Sequence, residues 1–391
     1  MKRKMKPRKT VALDVRKLLR PKTGIGNYIS ELIYHLIALK SEFTYLLLGD
    51  RPVRPGEIPP DCEYVALGRF YREDGKVAQL YSPLWLNLLA SRYLSQRKVA
   101  LFHGPNFVVP LNANCPCVTT VHDLAFLKTP QAYTRIYRRY MIYQVQNAVR
   151  RSAVVIAVSD ATKNDLISLM QVPEDKITVI HHGVDSKFQP CHDSGFLTGI
   201  RTRFNLPQRF LLSVGVIEHR KNLEALFRAA KKLMAEGLTD GVVLAGKEGL
   251  GAEKIRQYAI NLGIGDRVHY LGYVADDLLV GLYNLAQCLV YPSWYEGFGM
   301  PILEAMACGC PVVASDASSI PEAAGNAALL FPPSDSNLLE IKLRQLLTSE
   351  QLRSEIIIRG RKWVNQFTWK ETAEKHLALY QKVLAYFSFK E

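Results

Sequence analysis

Two glutamates eight residues apart, Glu296 and Glu304, bracket the string Gly297-Phe298-Gly299-Met300-Pro301. Glycines at 297 and 299 let the backbone turn sharply and come close to a ligand. Pro301 suits the first turn of a helix, where its missing N–H would have had no partner. Cys288–Tyr291 is a short apolar run that reads as a buried strand. The helix is expected to reach Cys308, with Gly309 past its end and a second strand at Val312–Ala314. Strand, glycine turn and helix N-terminus together make an anion site, because the first N–H groups are unpaired and the helix dipole is positive there. Carboxylates beside such a site do not bind phosphate. They accept hydrogen bonds from hydroxyls, and a sugar and a ribose offer those.

Three further stretches have residue types fit for chemistry. After the apolar run Leu211–Val214 and Gly215 comes Glu218-His219-Arg220-Lys221-Asn222, then a helix with Leu223, Leu226, Phe227, Ala230 and Leu233 on one face. Asn222 reads as its N-cap. Arg220 and Lys221 then sit at the positive helix end, where the dipole disfavours cations, so the pattern predicts an anion between them. A strand at Thr10–Val15 is followed by Gly24-Ile25-Gly26-Asn27 and a helix bearing Tyr28, Ile29, Leu32 and Ile33, again a phosphate-approach layout but without the third glycine of a dinucleotide fingerprint. The strand Cys117–Val121 ends in His122-Asp123, at the end of an open α/β sheet where ligands gather.

The string from Tyr295 to Ala314, Tyr-Glu-Gly-Phe-Gly-Met-Pro-Ile-Leu-Glu-Ala-Met-Ala-Cys-Gly-Cys-Pro-Val-Val-Ala, resembles the family-4 retaining glycosyltransferases of GT-B fold. The resemblance implies two Rossmann-like α/β domains with parallel sheets facing across a cleft, and transfer of a hexosyl group to a hydroxyl with retained configuration. It places Glu296 against the donor sugar and Glu304 on the nucleotide ribose. Arg220 and Lys221 would clamp the donor diphosphate, with Val216 standing where the family often carries an Arg. Gly24, Gly26, Gly215, Gly246, Val274, Gly297, Phe298, Gly299 and Met300 would complete the donor site, and His122 would position the sugar. Asp14, Arg16, Asn27, Tyr28 and Asp123 would meet the acceptor, although the family more often has Arg where Asn27 stands. Asp14-x-Arg16 with Thr23-Gly24-Ile25-Gly26 is similar to a subset rich in mannosyltransferases, which implies GDP-mannose as donor, a UDP-sugar being the alternative. The implied acceptor is a glycan, free or carried on a polyprenyl diphosphate, in cell-surface polysaccharide synthesis. The chain has no Asp-x-Asp, and neither a metal nor a cofactor is expected. An epimerase or phosphorylase on the same fold, or a basic membrane-binding protein without catalysis, stay open because fold alone does not fix chemistry.

The elements that must position these residues alternate strand and helix through both halves, which implies parallel sheets flanked by helices. The 391 residues suffice for two such domains, here expected at 1–190 and 191–368, with the polar stretch Ser186–Gly199 as linker and a last helix, 369–391, returning to the first domain. Charge is uneven: residues 1–190 hold 28 Lys/Arg against 15 Asp/Glu, residues 191–391 hold 22 against 21. The basic half predicts an anionic partner, and charge alone leaves nucleic acid, an acidic lipid surface and a phosphorylated acceptor open; no nucleic acid is expected among the partners. Two helical patterns carry much of that charge, Gln79–Arg97 (Leu80, Leu84, Trp85, Leu88 and Leu89 on one side, expected to pack inward) and the Tyr- and Arg-rich Tyr133–Arg151. No apolar run approaches the ~18 residues of a spanning helix. Scattered cysteines, seven in number, fit no closed disulfide set, and the expected setting is cytoplasmic, with peripheral contact at the inner membrane face.

Overall fold

The apolar runs become strands covered on both faces. The computed structural model describes residues 9–19, 24–54, 56–67 and 85–388. Contacts divide the chain into two units, residues 1–124, 139–183 and 369–391 in the first, 125–138 and 184–368 in the second.

The first unit holds β1 (Lys9–Asp14), β2 (Phe43–Gly49), β3 (Glu63–Ala66), β4 (Leu101–Gly104), β5 (Cys117–Val121), β6 (Val154–Ala157) and β7 (Ile177–Val179). They form one sheet of order β3-β2-β1-β4-β5-β6-β7, every neighbouring pair parallel. Parallel strands need crossovers that put helices on both faces, so β1 reads as an unbroken apolar run with Val11, Ala12 and Leu13 fully buried. Helix Gly24–Ala38 packs Ile29, Leu32 and Leu36 on this sheet beside the final helix Trp369–Ser388, which adds Trp369, Tyr380 and Leu384.

The second unit holds β8 (Phe210–Val214), β9 (Gly241–Ala245), β10 (Val268–Tyr270), β11 (Cys288–Tyr291), β12 (Val312–Ser315) and β13 (Leu329–Phe331), in the order β10-β9-β8-β11-β12-β13, again all parallel. Strand order reverses between β8 and β11, and side chains beyond the carboxyl ends of two such strands frame a crevice. The loops after β8 and β11 carry Arg220, Lys221 and Glu296.

Several expectations change. Gly24 and Gly26 lie in the first turn of their helix, not in a loop before it. The last six residues of the expected linker, 194–199, belong to helix Ser194–Arg203, started by Asp193, whose side chain accepts from Phe196 N. In the Gln79–Arg97 pattern, residues 79–84 lie outside the described residues. From Trp85 the chain runs as π-helical turns to Ala90, then as α-helix to Gln96. The wider π turn rotates the face: Trp85 and Leu86 are buried, while Leu88 and Leu89 point outward. Strand β13 was not expected, although Ala327–Phe331 ahead of two prolines is its signature. All seven cysteines are free thiols.

Candidate active site

Glu296 lies between the two cations that sequence places at a helix start. Its Oε1 accepts from Lys221 Nζ at 2.7 Å and its Oε2 from Arg220 Nη1 at 2.8 Å. Arg220 also donates through Nε to Glu218 Oε1 at 3.0 Å and through Nη1 to the Tyr295 carbonyl at 2.7 Å. Lys221 Nζ reaches Tyr291 Oη at 3.1 Å and stands 4.8 Å from that ring's centroid. The predicted anion between Arg220 and Lys221 is thus supplied here by the protein's own carboxylate. Burial alone would raise the Glu296 pKa; Arg220 and Lys221 overcome it and hold the carboxyl down to about 2. Burial lowers the Lys221 pKa, with Glu296 opposing the shift.

The backbone is shaped around this cluster. Gly215, after β8, has φ +135°, and a Cβ there would lie 2.9 Å from both Cε and Nζ of Lys221. A Cβ on Gly246 would meet the Gly215 carbonyl oxygen at 1.9 Å, so the two strand ends close on each other with no room for side chains. Gly215→Ala is expected to cost about 1–3 kcal/mol in backbone strain and to push Lys221 off Glu296. A lower Tm together with turnover reduced at least tenfold checks this; unchanged turnover would detach Lys221 from the chemistry.

Asn222 stands at the start of helix Leu223–Ala235 without capping it. It takes a left-handed conformation, φ 52°, and its Nδ2 donates to the carbonyls of Pro292 and Pro333 at 3.1 and 2.8 Å. The side chain therefore ties the loop after β8 to the loop after β11. Trp294 N adds a bond to the Arg220 carbonyl at 2.9 Å. On the other side, Ser318 Oγ and Ser319 Oγ donate to the Glu296 carbonyl at 2.7 and 2.9 Å, and Ser318 Oγ accepts from Glu296 N at 2.8 Å.

The glycine turn behaves as its residue types require at one position. Gly299 has φ +112° and precedes helix Met300–Ala307, with Pro301 in its first turn. Phe298 and Val274 are buried, at 4% and 7% exposure. Glu304, one turn into the helix and partly exposed, accepts from Tyr283 Oη at 2.8 Å. Burial pushes its carboxyl up to about 7 against that hydrogen bond. Both Glu296 and Glu304 act electrostatically on the Tyr291 hydroxyl, which puts the two acids and Lys221 in one neighbourhood. Within the second unit no three metal-ligating side chains converge among the described residues.

In the first unit the expected acceptor residues are arranged less openly. Arg16 grips Asp14 as a fork, Nε to Oδ1 at 2.9 Å and Nη2 to Oδ2 at 2.6 Å, and its guanidinium lies 4.1 Å from the Trp85 ring centroid; both partners are buried. Tyr28, expected to touch acceptor, is instead interior: it is 1% exposed, with its hydroxyl bonded to Thr120 Oγ1 and His376 Nε2, each at 3.0 Å. Sequence placed it correctly on the inward stripe of its helix, and that stripe is core. Asn27 and Asp123 are partly exposed. His122 Nε2 lies 2.8 Å from the Pro105 carbonyl and must donate to it, so Nδ1 carries the lone pair. Burial lowers its pKa, so the ring is neutral and Nδ1 can accept from a hydroxyl. Sequence reasoning missed Tyr283 and Tyr291, and it did not foresee the bonds of Glu218 to Arg220 and of Ser318 to the Glu296 backbone.

Comparison with known proteins shows the family. Residues 22–188 match the model described as Glycosyltransferase Family 4, and residues 200–363 match Glycosyl transferases group 1. The O-antigen chain mannosyltransferase B of Escherichia coli is 31% identical over 370 residues, spanning 92% of this chain and 96% of that one. The chain is a family-4 glycosyltransferase. Among solved structures, sucrose-phosphate synthase of Thermosynechococcus elongatus superposes with a TM-score of 0.77 at 23% identity, covering 97% of this chain and all of that one. WaaG, a glycosyltransferase involved in lipopolysaccharide biosynthesis, gives 0.71 at 18% identity over 95% and 99%. These two likenesses carry the GT-B fold, as the two parallel sheets do. The epimerase, phosphorylase and non-catalytic readings give way to a glycosyltransferase.

Proposed function

We propose that this glycosyltransferase moves a mannosyl group from GDP-mannose to a hydroxyl of a glycan acceptor carried on a polyprenyl diphosphate, at the cytoplasmic face of a membrane, with retained configuration. The observation that carries the donor assignment is the 31% identity to a mannosyltransferase over nearly the full length of both chains. The second unit takes the donor, and acceptor recognition falls to the first. The bond between the sugar's anomeric carbon and the β-phosphate oxygen breaks, the acceptor oxygen bonds to that carbon from the same side, and the acceptor's proton leaves on the departing phosphate. Positive charge grows on the sugar and negative charge on the diphosphate, so catalysis rests on preorganised charge around each. Lys221 has three N–H donors, of which Glu296 and Tyr291 take two, leaving one for a phosphate oxygen. Glu296 holds a sugar hydroxyl and faces the growing positive charge, and Glu304 holds the ribose. His122 Nδ1 accepts from a sugar hydroxyl. Arg220, Lys221 and the amides at Gly299–Met300 supply the positive side, with no resident metal.

A thermal-shift screen tests the donor, since a tight ligand raises apparent stability. GDP is expected to raise Tm more than UDP or ADP, and transfer from GDP-mannose to continue in EDTA. A response to UDP alone would move the assignment to a UDP-sugar, and loss of transfer in EDTA would overturn metal independence.

Glu304 gives a pH test. Ribose hydroxyls donate to a carboxylate, and this carboxyl ionises only as pH rises through about 7. Nucleotide affinity is therefore expected to rise with pH from 6 to 8, by about tenfold for a hydrogen bond to a charged group. Glu304→Gln should bind weakly and without that pH dependence, as read by titration calorimetry. The folded carboxyl binds its proton more tightly than the unfolded one (ordinary value 4.5), so the apoprotein should lose stability between pH 4.5 and about 7.

A further inference from the structure

Five buried side chains of the first unit join into one chain of hydrogen bonds that begins and ends on the final helix, Trp369–Ser388. Tyr380 Oη lies 2.7 Å from His103 Nδ1 on β4, and His103 Nε2 lies 2.8 Å from Thr120 Oγ1 on β5. Thr120 Oγ1 and His376 Nε2 each lie 3.0 Å from Tyr28 Oη on helix Gly24–Ala38, and His376 Nδ1 lies 2.7 Å from the Thr372 carbonyl. A carbonyl only accepts, so Nδ1 of His376 carries a proton. Burial lowers the pKa of both histidines, that of His376 to about 4, so each ring is neutral with one N–H. Every other proton then follows in turn. Tyr28 donates to His376 Nε2, Thr120 to Tyr28, His103 Nε2 to Thr120, and Tyr380 to His103 Nδ1. One backbone carbonyl thus sets the direction of four side-chain bonds. A buried network with every partner satisfied holds its members in a single arrangement.

Tyr28 is also one of the rings against which His122 rests. The two meet edge to face, with centroids 4.9 Å apart and planes at 81°. Tyr28 stacks on His182 at 4.7 Å, and His182 and Phe107 meet His122 edge-on at 5.5 and 5.7 Å. All three rings are buried, and each is fixed separately. Phe107 N donates to the Thr120 carbonyl at 3.1 Å. The segment carrying His182 is held by Thr372 Oγ1, which donates to the His181 carbonyl at 2.8 Å. Tyr28 is fixed by the chain. The bond from His122 Nε2 to the Pro105 carbonyl sets the tautomer of His122. The three rings set its tilt, since packed aromatic pairs favour a specific mutual orientation.

We propose that Tyr28 is a positioning residue that aims His122 Nδ1 at the donor's sugar, and that the final helix holds Tyr28 to this task through His376. This role rests on the reading of His122 as a sugar contact. Calorimetric titration with GDP-mannose and with GDP isolates that contact, because GDP lacks the mannosyl group. Should the uridine pair bind instead, UDP-glucose and UDP serve in the same way. The readout is the ratio of the two affinities. Tyr28→Phe keeps the ring and removes the hydroxyl that the chain holds. It is expected to lower the ratio about fivefold, within the ~2–10-fold that a neutral hydrogen bond is worth, and to leave the affinity for GDP unchanged. Thr120→Val cuts the chain one bond earlier and should do the same, whereas Thr120→Ser keeps the hydroxyl and should match the wild type. His122→Ala should lower the ratio about tenfold, and adding Tyr28→Phe to it should lower it no further. Equal losses from Tyr28→Phe with and without His122 would overturn the positioning role. So would a wild-type ratio in both Tyr28→Phe and Thr120→Val, or a loss of GDP affinity in step with that for GDP-mannose, which would make the chain structural only. A wild-type ratio in His122→Ala would instead remove the sugar contact itself, and the role of Tyr28 with it.

Discussion

Glu296→Gln is expected to remove nearly all transfer while leaving nucleoside diphosphate binding intact or tighter by up to about tenfold, an opposition of effects that follows from charge. In the wild type Glu218 and Glu296 balance Arg220 and Lys221, two against two. A neutral amide of the same shape keeps the loop filled but leaves the two cations under-neutralised, so an incoming diphosphate meets a more positive site. The sugar side fares the other way. Positive charge developing at the anomeric carbon loses its facing carboxylate, and electrostatic groups aimed at developing charge are worth about 10²–10³ in rate. Calorimetry with GDP and initial rates with donor and acceptor read the two effects separately. Weaker GDP binding with rate little changed would reverse the assignment, making Glu296 a binding residue. Stability adds a check. The folded carboxyl titrates near 2, below its ordinary 4.5, so its ionised form contributes stability above 4.5 that is lost as pH falls toward 2. Glu296→Gln should lack that part of the acid dependence.

Lys221→Met should damage both sides at once. Methionine keeps most of the stem beside Tyr291 and removes the charge. The departing diphosphate loses a cation in the transition state, and kcat/KM is expected to fall about 10³-fold, most of it in kcat. Removing one partner of a buried ion pair costs about 3–5 kcal/mol when the other is stranded. The cost here should be smaller, because Arg220 keeps Glu296 Oε2. A steady-state comparison with Arg220→Met orders the two cations. An active Lys221→Met enzyme would mean that the clamp lies elsewhere.

How far the sequence carried depends on the kind of pattern each feature leaves. Strands buried on both faces leave unbroken apolar runs, so β5 and β11 were legible to the residue and β1 and β8 nearly so. The short edge strand β13 leaves three residues, too few for a periodicity. The π turns at Trp85–Ala90 break the assumption of 3.6 residues per turn, and the inward face assigned to Leu88 and Leu89 failed with it. At the site, a local motif marked Glu296, Glu304, Arg220 and Lys221, because glycines, a proline and a dipole conflict are all local signals. What answered the conflict was not local. Glu296 stands more than seventy residues from its cations, and only the adjacency of β8 and β11 brings them together. Asn222 looked like an N-cap because its type fits that role; its left-handed backbone instead aims the amide at two carbonyls from later loops. Tyr28 shows the reverse case, a residue whose motif position suggested contact with substrate and whose helical phase already put it in the core.

The central claim is that Arg220 and Lys221 form the seat of the donor's diphosphate. Calorimetric titration of the wild type and of Lys221→Met with a nucleoside diphosphate and with its parent nucleoside addresses it directly. The expected result is a large preference for the diphosphate in the wild type that collapses in the variant, with nucleoside affinity the same in both. A preference for the diphosphate that survives in Lys221→Met, and again in Arg220→Met, would contradict the claim.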